Sequence, residues 1–91
     1  MNNLDNIDLQ VGDIYQDCSY HPVVCVSLNR EDDEVTGISL IDGSSPRSCS
    51  LLHCGIRKIT IEEAWNIKIN GPSDSEVKRE ISKEKQWWLL E

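Results

Sequence analysis

Between Gly37 and Thr60 the chain carries three glycines, a proline, two cysteines and a histidine, set between two strand-like runs. Glycine and proline at this density leave no room for a long regular element, so structure here must consist of short strands joined by tight turns. Asp42-Gly43-Ser44-Ser45-Pro46 is the densest turn cluster, and Gly43 and Gly55 are expected at tight corners or with φ above zero. Residues 47–52 and 56–60 read as two short strands separated by a His53-Cys54-Gly55 corner. A chain of 91 residues can build one modest core around them. With no Phe and only five aromatic side chains, that core must come mainly from Ile, Leu and Val, a supply that suits a β-rich body.

Upstream, residues 22–28 form the clearest strand. Strict alternation puts Val24, Val26 and Leu28 on one face and Val23, Cys25 and Ser27 on the other. Arg30-Glu31-Asp32-Asp33-Glu34 reads as a solvated turn, and residues 35–42 resume the β pattern, which makes an antiparallel hairpin with a polar tip. Residues 9–17 supply a short strand after a Gly12-Asp13 turn or bulge, with Leu9, Val11 and Ile14 or Tyr15 available to a core. Pro22 cannot donate to a ladder and breaks the chain between these strands. Residues 1–7 are expected to be a loose terminus without a signal peptide.

Thr60-Ile61-Glu62-Glu63 has the capping-box pattern, Ile61, Ala64, Trp65 and Ile69 recur at helical spacing, and Gly71-Pro72 ends the helix. A second box, Ser73 to Glu76, is expected to open a longer polar helix over residues 74–90, whose apolar stripe of Val77, Ile81 and Trp88 is thin. The class expected is α+β: four or five short antiparallel strands in a curled sheet or small barrel, a short helix over 61–69, and a polar C-terminal helix. Residues 1–72 make the β-rich domain and 73–91 a helical extension.

Gly12-Asp13-Ile14-Tyr15 followed by His21-Pro22-Val23-Val24-Cys25-Val26-Ser27 resembles the opening strands of SH3-like small β-barrels, among them the MazF and PemK toxin ribonucleases. The resemblance covers the first third of the chain and implies a small twisted barrel. The basic loop residues that those ribonucleases use on RNA have no counterpart here, where the corresponding region is acidic, so the resemblance does not extend to their activity.

Charge is unevenly placed. Residues 1–42 hold nine acids against Arg30 alone, within a net charge of −7 for the chain. Such a field repels phosphate backbones and attracts basic protein surfaces, which argues against nucleic acid as a partner. No apolar run is long enough to span a membrane. Four cysteines without an export signal suggest thiols in a cytoplasmic, reducing setting.

The candidate binding residues are therefore the acidic tip Glu31, Asp32, Asp33 and Glu34; Arg47, which with Ser44, Ser45, Ser48 and Ser50 has the groups to hold an anion; and Trp87 and Trp88, apolar enough either to fold back or to dock a partner. Cys18, His21, Cys49, His53 and Cys54 are donors suited to zinc, but they lack a paired Cys-x2-Cys knuckle. Cys18 or Cys54 beside a histidine, with Asp17 or Asp42 orienting it, is the thiol-enzyme alternative. The expectation is a non-catalytic binding protein that needs no cofactor and docks a basic protein through its acidic half, as inhibitors and immunity proteins of nucleases do. A zinc-stabilised adaptor and, behind it, a thiol-dependent enzyme are the alternatives.

Overall fold

The computed structural model describes residues 8–51 and 56–89. Five strands, β1 (Ile14–Gln16), β2 (Pro22–Asn29), β3 (Glu34–Ser39), β4 (Arg47–Ser50) and β5 (Arg57–Ile59), pair antiparallel in the order β4-β3-β2-β1-β5. The sheet is followed by α1 (Ile61–Asn70), α2 (Ser75–Glu80) and two 3-10 turns, Lys83–Lys85 and Trp87–Leu89. The protein is thus a small α+β domain, and β4 and β5 remain the two edges of its sheet.

Alternation along β1 sends Tyr15 to one face and Ile14 to the other. Tyr15 joins Leu9, Val23, Cys25, Val35, Cys49, Leu51 and Ile56 in the main core, while Ile14 packs with Ile59, Leu40 and α1 in a second cluster. Val11, expected to be available to the core, is 63% exposed beside the turn at Gly12.

Strict alternation fails in β2. Its register to β3 runs Cys25↔Gly37 and then Ser27↔Thr36, so Val26 is an extra residue forming a β-bulge. The bulge exchanges the faces beyond it. Val23 and Cys25 point into the main core, Val26 is 44% exposed, and Leu28 packs against that same core. The expected grouping of Val24, Val26 and Leu28 is therefore wrong, because one inserted residue inverts a period of two.

Thr60 caps α1 as expected, its hydroxyl accepting the Glu63 N–H at 3.1 Å. The Glu63 carboxylate does not close the box; it pairs with Arg57 at 2.7 Å. Gly71, at φ 84, ends the helix and donates its N–H to the Ile67 carbonyl. The helix spacing was legible but its buried face was not. Ala64 and Ile67 face the sheet, whereas Ile61, Trp65 and Ile69 are exposed. The small Ala64 lets the helix approach closely, and Trp87 from the chain's end fills the same cluster.

The long polar helix is not formed. Asp74, not Ser73, caps α2 by accepting the Glu76 N–H, and the helix stops at Glu80. With an apolar stripe so thin, a continuous helix would bury little, and breaking it lets Trp87 and Trp88 reach the body of the protein. Residues 73–89 consequently pack on the sheet-and-helix unit instead of extending from it.

Gly43 takes φ 74 in the β3–β4 turn, as its cluster suggested, while Gly55 lies outside the described residues. Gly37 has a different function. A Cβ there would collide with Val23 Cγ1 and the Val24 carbonyl and would lie 3.0 Å from the Tyr15 hydroxyl. Gly37→Ala is therefore expected to destabilise by about 1–3 kcal/mol, the usual cost of overpacking. Gly43→Ala, with open space around it, should cost only the left-handed backbone penalty of about 1 kcal/mol. Urea titrations of the two variants test this, and equal midpoints would show that the β2–β3 approach is not tight.

Candidate functional site

Asp17 to Tyr20 join β1 to β2 in a tight loop closed by the Asp17 N–H to the His21 carbonyl at 3.0 Å and the Tyr20 N–H to the Asp17 carbonyl at 2.9 Å. Tyr20 completes it at φ 69, a left-handed position that an aromatic residue adopts only at a cost. The buried Asp17 carboxylate organises this end of the sheet. Oδ1 accepts the N–H groups of Ser19 and His21, and Oδ2 accepts Arg47 Nε at 2.8 Å.

Arg47 also donates from Nη1 to Ser44 Oγ at 3.1 Å. Its guanidinium is thereby engaged by the protein's own carboxylate and hydroxyl. Of the surrounding serines, Ser48 and Ser50 engage other groups. Ser48 Oγ meets Thr36 Oγ1 across β3, and Ser50 donates to the Asp33 carboxylate.

Next to this ion pair, His21 Nδ1 lies 2.9 Å from Ser39 Oγ, which itself accepts the Ile41 N–H. The imidazole stacks edge-on against Trp87, with ring centroids 4.6 Å apart. Trp87 in turn donates its indole N–H to the Ile67 carbonyl, and Trp88 lies against Trp87, Gly71 and the Lys78 ammonium. Both indoles are half-buried in internal contacts, the fold-back arrangement of the two that the sequence left open. Burial holds the His21 pKa below the ordinary imidazole value of 6.5, Arg47 lowers it further, and Asp17 and Asp42 oppose the shift. Tyr20, His21, Asp42, Arg47, Glu80 and Trp87 line an open cleft between the β1–β2 and β3–β4 loops and the C-terminal segment.

Cys18 and Cys49 are brought together, their sulfurs 3.3 Å apart. The His21 ring engages Ser39 and Trp87. His53 and Cys54 lie outside the described residues. Among the described residues no three His, Cys, Asp or Glu side chains form a group able to hold a metal ion. Cys25 belongs to the core, where burial pushes its thiol pKa up.

At the opposite end of β3, the β2–β3 turn displays the acidic tip. Asp32 exchanges hydrogen bonds with Asn29, and Glu31 and Glu34 are exposed. Asp33 does more than display charge in this turn. It sits at φ 56, its carbonyl accepts the Leu51 N–H, and its carboxylate accepts the Ser50 hydroxyl, so it holds the turn to the end of β4. Asp13 and Asp17 are paired with Lys58 and Arg47, whereas Glu31, Asp32 and Glu34 have no cationic partner among the described residues. Sequence reasoning missed the Asp17–Arg47 pair and grouped Cys18 with Cys49 only as members of a zinc ligand set; both contacts link positions about thirty residues apart, with no local pattern to reveal them.

No family model, curated protein or solved structure matches the chain.

Removing one partner from a buried ion pair leaves the other charge uncompensated. Asp17→Ala is expected to cost about 3 kcal/mol and Asp17→Asn less, since the amide oxygen can still accept two backbone N–H groups. Urea denaturation measures both; Asp17→Ala melting with the parent would remove the carboxylate from its organising position.

His21 predicts a pH dependence of definite sign. Its folded-state pKa is depressed, so its contribution is complete above the unfolded value of 6.5 and is lost as pH falls below it, when the unfolded chain binds the proton more readily. Thermal melts from pH 7.5 down to 5 should show the parent losing stability more steeply than His21→Asn. Parallel curves would contradict it.

Proposed function

We propose that this chain is a non-catalytic binding protein whose acidic β2–β3 tip docks a basic protein surface. The observation that carries this reading is the exposure of Glu31, Asp32 and Glu34 at a tight turn with no cationic partner among the described residues. Charges fixed on a short hairpin lose little entropy on docking and accelerate encounter over the Debye length of ~8 Å at physiological ionic strength. Asp33 holds the turn in shape, and the other three acids form its contact surface. An inhibitor or immunity-type role towards a basic enzyme suits this arrangement. The return of β5 to pair with β1 supports an open, SH3-like architecture beneath it.

The test replaces Glu31, Asp32 and Glu34 with Gln, Asn and Gln, leaving Asp33 intact. A partner captured from the native host by the parent protein is then used in stopped-flow association across a salt series. The triple variant should associate about tenfold more slowly at low salt, with a flatter salt dependence, and melt within about 0.5 kcal/mol of the parent. Association at the parental rate across the series would reduce the acidity to a solubility device.

A further inference from the structure

Cys18 lies exposed in the β1–β2 loop, and Cys49 lies buried on the core-facing side of β4, 7% exposed. Their sulfurs are 3.3 Å apart although the residues are separated by 31 positions. The neighbouring Asp17–Arg47 ion pair clamps the same loop to the same strand, so the approach is held by two side-by-side links. Bringing the sulfurs to the bonding distance of about 2.0 Å requires a shift of little more than an ångström, within reach of a side-chain rotation. We propose that Cys18 and Cys49 form a thiol–disulfide exchange site, whose co-substrate is a low-molecular-weight disulfide of the glutathione type.

The division of labour follows from exposure. The Cys18 thiolate, its proton released to solvent, attacks one sulfur of the small disulfide; that S–S bond breaks and one small thiolate leaves. Cys49 then loses its proton and attacks the Cys18 sulfur of the mixed disulfide, expelling the second small thiolate. The two protein thiols are oxidised by two electrons, the small disulfide is reduced to two thiols, and the two protein protons end on those thiols. Cys25 takes no part, because its buried thiol faces the Ser27 carbonyl. The product staples the β1–β2 loop to β4. Since Tyr20, His21 and Arg47 lie on those two segments and line the cleft, oxidation fixes one of its walls.

The experiment incubates the full chain, folded, with reduced and oxidised glutathione at a series of ratios. Acid quenching, alkylation and peptide mass mapping then identify the bonds formed. The expected product is a single Cys18–Cys49 bond, in about tenfold or greater excess over the Cys18–glutathione mixed disulfide, because ring closure is intramolecular. Cys25→Ser should leave this unchanged, and Cys49→Ser should trap Cys18 as the mixed disulfide. Should Cys49→Ser fold poorly, the parent provides a second readout, with closure raising its Tm by about 10 °C or more. Accumulation of the mixed disulfide in the parent, comparable yields of bonds involving other cysteines, closure only in denaturant, or stoichiometric zinc that blocks alkylation of both thiols would each overturn the proposal.

Discussion

The Asp17 carboxylate is the group on which one end of the molecule depends. Burying a carboxylate costs several kcal/mol unless its charge is paired and its lone pairs are filled. Here two backbone N–H groups from its own loop and the Arg47 guanidinium meet that requirement together. The backbone donors shape the loop so that Tyr20 enters its left-handed position and His21 reaches Ser39. The guanidinium draws edge strand β4 to the loop, and Cys49 comes with it against Cys18. The loop that walls the cleft and the thiol pair thus both sit against one satisfied buried charge.

Two further adjustments decide what the sheet and helix bury. The bulge at Val26 restores Leu28 to the core that Val23 and Cys25 already face, and it puts a valine in solvent to do so. The close approach of Ala64 and Ile67 to the sheet leaves Ile61, Trp65 and Ile69 uncovered. Trp87 completes the cluster beneath α1, and its indole N–H adds a partner to the Ile67 carbonyl at the helix end. The C-terminal segment is thus part of the folded unit through one aromatic side chain serving both packing and hydrogen bonding.

Charge is distributed along β3 with opposite purposes at its ends. Near Ser39 the charges face one another: Asp17 holds Arg47, with Asp42 close to both His21 and Arg47. Near Glu34 the carboxylates instead face outward from a turn whose geometry Asp33 maintains. This contrast separates acids that build the protein from acids free to meet something else, a distinction that net charge alone does not make.

Elements governed by neighbours in the chain were legible without the structure. Thr60 and Gly71 bound α1 because a hydroxyl cap and a left-handed glycine act within a few residues, and the turns at Gly43 and at the acidic tip follow from local backbone preference. Alternating Val residues and Gly-Pro punctuation likewise determined the strands and the α+β class. Tertiary structure alone decided which faces are buried, since a single extra residue in β2 and a tryptophan from the far end of the chain outweigh the local period. It also decided which polar groups meet. Asp17 with Arg47 and Cys18 with Cys49 are contacts across the sheet, and their partners are selected by strand order and loop closure, which no short stretch of sequence encodes.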